Sequence, residues 1–535
     1  MIPISRLAKT SLALILLLVS FTVLAGAQTT RPDILKSRTG TVEVEPMSNI
    51  PCVDGKAGGV YNCSNVDLLS LIPLGHMGGG SGSDIWGWTD PETGHEYALM
   101  ARSNGVAFVD ISDPSNPVYV GNLPSRDRSS AWRDVKIYDN HAFIVADSQP
   151  NHGVQIFDLG ELRRATDLPV TFETTAAYDE IGSAHNIFIN EETAYGYIVG
   201  ASSCAGGLHM INFKRTTQPE FAGCFSDDGY THDAQCVVYN GPDAAHVGNE
   251  ICFNSNEDTL TIVDVSEKSA PQMLAREGYP GSAYTHQGWL TSDQTHFIMN
   301  DEIDEGRFGH NTHTYIWDVS DLDNPIFLGP YTSDNTSIDH NLYIHNDVIF
   351  QSNYTSGLRL FEAGNLAAAE LLPLGHFDTY PANDNPSYNG SWSNYPFFAS
   401  GTIVVSDINR GLFMVRPDFL PAYTVKTAVA AGAPASIGQT VAHTVTVTNI
   451  GNQTDSYTVA LSGNSWNTTT STMTVGPLAP NEEATVTISV VVGGGISDSV
   501  SMTLTSQGNN DVWRAMELTT QATMSAHQSY LPIIR

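Results

Sequence analysis

The chain has 535 residues, 41% of them hydrophobic and 15% charged, which is length enough for two to four domains and too apolar for a disordered chain. Asp and Glu number 57 against 24 Lys and Arg, a net charge of −33. Such a surface repels phosphate backbones and anionic membranes, which excludes nucleic acid as a partner.

Residues 1–27 read as a signal peptide. Arg6 and Lys9 form a basic start, 11–24 is a nearly apolar run, and Ala25-Gly26-Ala27 supplies small residues for cleavage. The run is shorter than the ~20 residues a membrane span needs. No later segment is apolar enough to span, so the mature chain is expected to be secreted, extracellular or held at the cell surface. Export makes the six cysteines a disulfide set. Proximity in sequence favours Cys52–Cys63, Cys204–Cys224 and Cys236–Cys252, the first pair lying in an N-terminal extension, 28–66.

From residue 67 to 420 the chain repeats. Each unit opens with a Trp or His in a short polar setting, followed by two apolar β-type runs and a strand usually led by Gly. The openings are Trp86, Trp132, His185, His232, His286, His340 and Trp392. The third strands begin GVAFVDIS at Gly105, GVQIFDL at Gly153, GLHMINF at Gly207, TLTIVDVS at Thr259, HTYIWDVS at His313, GLRLFEA at Gly357 and GLFMVRP at Gly411. Seven units of roughly fifty residues with four short strands each predict a seven-bladed β-propeller. The seventh unit lacks its outer strand, and DLLSLIPLG at 67–75 is expected to supply it from the N-terminal side. After Pro421 strict alternation, as in Thr444-Val445-Thr446-Val447-Thr448, predicts an immunoglobulin-like β-sandwich over 421–528. A short tail, 529–535, follows.

The long motifs resemble one family. SDIWGW, EYALMARSNGVAFVDIS, SAWRDVKIY, GSAHNIFIN, GYTHDAQCVVYNGPD, YTHQGWLTSD, NDEIDE, DHNLYIHN and SNYPFFASG are similar to those of the secreted bacterial choice-of-anchor B proteins, over about 68–417. The strand ending TIVDVS resembles their LVIVD repeats. The resemblance implies the propeller and a surface location. It implies no activity.

The seven openings are expected to ring the propeller axis at one face. The ends of the second strands return there, bringing Arg102, Asp147, Asn254, Asp301, Asn353 and Asp407, with Asp134, Asn186, Asp233, Gln287 and Asn341 beside the ring. Three roles are open to it. The rings can clip one blade to the next. His185, His232, His286 and His340 can hold a divalent metal ion such as Ca, Zn, Mn or Fe. Trp86, Trp132 and Trp392, with Arg102, Asp147, Asp301 and Asp407, can bind an organic ligand such as a glycan. The run Asp301-Glu302-Ile303-Asp304-Glu305 reads as an acidic solvated loop, with Ca²⁺ binding as the alternative. His310 and His313 give a weak zinc hint. No HExxH, GxSxG or phosphate-cradling motif occurs. The expected function is an extracellular binding or scaffold module for an unidentified glycan or protein ligand, rather than an enzyme. The alternative is a propeller metalloenzyme, hydrolase or oxidoreductase, built on the His ring.

Overall fold

A computed structural model describes residues 38–417 and most of 423–523. The signal peptide and the C-terminal tail expected from sequence lie outside the described residues. The fold is all-β, with only short helical turns such as Asp304–Phe308. Among the described residues no helix is long and apolar enough to cross a membrane.

Residues 47–417 form antiparallel sheets with four consecutive strands as their common unit, consistent with propeller blades. The first contains Gly82–Thr89, Glu96–Arg102, Gly105–Asp110 and Val118–Pro124. The inner strands of the following sheets are Arg133–Tyr138, Asn186–Asn190, Asp233–Val238, Thr285–Leu290, Leu342–His345 and Ser391–Tyr395. Each inner strand packs against the next, and Ser391–Tyr395 returns to Gly82–Thr89, so the series closes. Between neighbouring sheets lie shared apolar cores. Phe108 of the first sheet stacks on Phe157 of the second at 4.8 Å, and Phe143 of the second meets Phe213 of the third at 4.3 Å. A twisted sheet with two apolar faces can bury both only between two neighbours.

The last sheet is completed from the other end of the chain. Val66–Pro73 pairs antiparallel with Gly411–Pro417, from Gly411 opposite Pro73 to Pro417 opposite Val66. Gly411 is required there: at φ 144°, an added Cβ would lie 2.1 Å from the Ile72 carbonyl oxygen. Gly105 repeats the situation in the first sheet, with the Leu123 carbonyl 2.2 Å away. This close approach of the outer strand is why Gly recurs at the start of the third strand.

The extension holds more structure than its sequence suggests. Met47–Ile50 adds a further strand outside Val66–Pro73. Tyr61–Ser64 joins the outer strand Leu371–Phe377, with Cys63 opposite Phe377. All three expected disulfides are present, Cys52–Cys63, Cys204–Cys224 and Cys236–Cys252. The last links residues directly opposite each other on adjacent strands. Beyond the propeller-like region, two four-stranded sheets between Val425 and Gln521 share one core that includes Val445, Tyr457, Val486 and Met502.

Deleting residues 66–73 is expected to expose the edge of Gly411–Pro417 and its apolar neighbours. The truncated protein should melt at lower temperature and aggregate. Unchanged melting and solubility, read by scanning calorimetry and light scattering, would contradict the closure. Reduction of the disulfides should lower stability too. Closing a loop of 16 or 20 residues contributes about 3 kcal/mol on the chain-entropy model.

Candidate functional site

Six of the seven predicted ring residues come together at one end of the central channel. His185, His232, His286 and His340 form a continuous arc with ring centroids 4.3, 4.1 and 4.3 Å apart, and Trp392 follows 4.9 Å from His340. Trp132 completes the circle: the Arg38 guanidinium lies over both Trp392, at 4.9 Å, and Trp132, at 5.9 Å. The four histidines are buried.

Trp86 is not part of this ring. A bulge between Gly82 and Ile85 puts Ser83 where the bulges of the fifth and seventh sheets put His286 and Trp392. Trp86 lies further along the channel among Tyr343 and Tyr395, at 5.6 and 5.1 Å, with the Lys136 ammonium 4.6 Å above its ring. There it lines a cavity of about 260 Å³ with Phe188, Trp289 and Phe397.

The histidines are held in one tautomer. His185 Nδ1 lies 2.9 Å from Asp147 Oδ2, His232 Nδ1 2.9 Å from the His286 carbonyl, and His340 Nδ1 2.5 Å from the Trp392 carbonyl. His286 Nδ1 faces Asn300 Oδ1 at 3.2 Å, an atom identified as oxygen because it also accepts the Gln287 N–H at 3.0 Å. All four partners are acceptors, so each Nδ1 carries the proton and donates. Nε2 is then the nitrogen with the lone pair, the form in which imidazole ligates metals. The blade-clip role and the metal-ligand role thus fall on different atoms of the same residue. His232 and His340 clip their sheet to the next through Nδ1.

Glu302 is the residue that sequence reasoning missed in this arrangement. Its Oε2 lies 3.9 Å from His286 Nε2 and its Oε1 3.6 Å from His340 Nε2, while Tyr354 donates its hydroxyl to Oε1 at 2.5 Å. Ligand atoms of His232, His286 and Glu302 all fall within 4.8 Å of one another. Burial, then the neighbouring His340 and His185, holds His286 well below the usual imidazole range. Burial pushes His340 down to about 3.

The second-strand ends behave differently from expectation. Asp147 orients His185 and also accepts from Ser183 Oγ at 3.1 Å. Arg102 is buried and turned away, bonding the Met77 and Gly79 carbonyls and Asn122, so it pins the 74–80 turn. Asp301 accepts from the Tyr279 hydroxyl and the Ala283, Tyr284 and Ile303 N–H groups. Asp407 accepts the N–H groups of Asn409 and Arg410. Asp301 thus ties the 279–284 loop to the end of its strand, and Asp407 caps the turn that follows it. The residues beside the ring do the same between sheets: Asp134 Oδ2 accepts the Ile187 N–H at 2.7 Å, Asn186 donates to the His232 carbonyl at 3.1 Å, and Gln287 exchanges two bonds with Leu342. The acidic segment is not solvated. Asp301, Glu302, Asp304 and Glu305 are all buried.

These sheets define a class of repeat-built, propeller-like all-β proteins. Residues 95–124 and 251–276 match the LVIVD repeat. They cover the second to fourth strands of the first sheet and nearly the same strands of the fourth. No curated protein matches the chain. Among solved structures it is similar to a protein from Lactobacillus plantarum, at 10% identity over 60% of this chain and 87% of that one, with a TM-score of 0.41. A protein of unknown function from Bacteroides thetaiotaomicron matches at 10% identity over 63% and 70% of the two chains, with a TM-score of 0.32.

His340 should stay neutral far below an ordinary histidine. In metal-stripped protein, imidazole ¹⁵N spectra are expected to show the Nδ1–H tautomer and no titration between pH 8 and 5. A midpoint near 6.5 would contradict the site as described. The linkage has a definite sign. The unfolded chain takes up the proton near 6.5 and the folded chain only near 3. Stability from this group is therefore complete above 6.5 and falls by about 1.4 kcal/mol per pH unit as pH drops towards 3.

Proposed function

We propose that this protein is a secreted or cell-surface seven-bladed β-propeller with a C-terminal immunoglobulin-like domain, of the choice-of-anchor B type. It acts as an extracellular binding module built around a transition-metal centre. The metal is held by His232, His286 and Glu302, with His185 and His340 completing the arc. One observation carries this reading: all four histidines have Nδ1 against a fixed protein acceptor, which directs Nε2, the nitrogen that can ligate a metal, away from the blade contacts. Outer partners of this kind, above all Asp147 on His185, fix ring orientation and raise ligand basicity in metal sites. His286 and His340, kept neutral by burial, also need release no proton when a metal enters. The disulfides and the acidic surface suit an oxidising, extracellular setting.

A binding or structural centre is favoured over a turnover site by access. Arg38 lies across the ring mouth between Trp132 and Trp392. Thr39, next to it, is bonded to Asn389 at 2.7 Å. The metalloenzyme alternative requires this segment to move aside for substrate.

Elemental analysis of the purified protein tests the proposal. A stoichiometric transition metal is expected, lost in His286→Ala and in Glu302→Gln. Asp147→Asn should keep the fold and weaken the metal by about 10–100-fold. Metal-free protein that binds none of Zn²⁺, Mn²⁺ or Fe²⁺ in calorimetry would refute the centre.

A further inference from the structure

A second set of buried donors lies outside the histidine ring, where the loop after His296–Asp301 meets the start of the sixth sheet. We propose that Asp304, Glu305 and Asp339 bind one hard divalent cation, calcium by the all-oxygen character of the donors. Asp304 and Asp339 are fully buried and Glu305 is 1% exposed. One oxygen from each lies within 4.8 Å of the others. That spacing fits carboxylates around an ion at about 2.4 Å from each oxygen.

Three buried carboxylates cost several kcal/mol each unless a positive charge meets them. Among the described residues no Lys or Arg pairs with any of the three, and His310 Nε2 lies 3.6 Å from Asp304 Oδ2. Their internal bonds are few. Asp304 Oδ2 accepts the Tyr315 hydroxyl at 2.6 Å and its Oδ1 the Glu305 N–H at 2.8 Å, while Glu305 Oε1 accepts the His313 N–H at 3.3 Å. Asp339 Oδ2 faces Gln351 Nε2 at 3.4 Å.

One further observation points to a ligand rather than to a merely acidic loop. Glu305 Oε2 and Asp339 Oδ1 are buried and have no hydrogen-bond partner, although the cluster gathers both residues around one point. Burial, then Asp339 and Asp304, raises Glu305 well above the ordinary carboxylate range. That is the strain a cation would relieve. The sequence signal is Asp304-Glu305 in the acidic run, joined by an Asp immediately before the opening His340 of the next unit.

The test uses the full mature protein stripped with chelator, followed by thermal melting and calorimetry with Ca²⁺, Mg²⁺ and Zn²⁺. Calcium is expected to raise the melting temperature by several degrees. Glu305→Gln and Asp339→Asn should each lose that shift, while their metal-free forms melt no lower than metal-free wild type, because a repulsive charge has been removed. His286→Ala should keep the calcium shift, which separates this site from the ring. Absence of any calcium shift in wild type overturns the proposal. So does a shift that survives in both carboxamide variants, or one produced by Zn²⁺ alone.

Discussion

The structure depends on one pairing, that of Val66–Pro73 with Gly411–Pro417. Without it the sheets form an open stack whose last member shows an unpaired edge and an uncovered apolar face. With it each sheet has two neighbours, and the inner strands are held around a common channel. Both donor clusters draw on that geometry, because each takes residues from successive sheets. Glu302 follows the second strand of the fifth sheet, whereas His340 opens the sixth and His232 the fourth.

The ring shows how a structural and a chemical demand can share a side chain. Imidazole has two distinct nitrogens. One donates to a backbone or side-chain acceptor, which fixes a blade junction in His232 and His340. The other is thereby left with its lone pair. A Trp at the same position can pack but cannot ligate, and Trp132 and Trp392 flank the arc in that capacity. The repeat thus supplies the position, and the residue at it decides whether only a packing surface or also a nitrogen able to ligate is offered there.

The repeat is legible in sequence because the sheets share the same apolar strands, and most of them the same close approach seen beside Gly105 and Gly411. Closure is legible because the seventh unit lacks a strand and 67–75 resembles one. Pairing of the cysteines is legible from proximity alone. Local register is not. Trp86 matches the other openings in its setting, yet the bulge shared with the fifth and seventh sheets falls at Ser83, three residues earlier, and leaves Trp86 deeper in the channel. Nor does sequence show which carboxylates are consumed by nearby loops, as Asp301 and Asp407 are, and which face other donors, as Glu302 and Glu305 do. Those outcomes follow from the turn after the second strand, whose five residues divide between a loop cap, the histidine arc and the second cluster.

The strand that seals the sheets is separated from its partner by most of the chain. During synthesis the N-terminal segment emerges first and its partner more than three hundred residues later. Long-range pairing of this kind carries a large loop-closure entropy and folds slowly. The intervening sheets must therefore persist as an open, aggregation-prone series until Gly411–Pro417 arrives. The extension around Cys52–Cys63 bears on that interval. Its disulfide can form locally, and Tyr61–Ser64 can dock on Leu371–Phe377 before the last sheet is complete. The N-terminal strand would then be held beside the place it must fill.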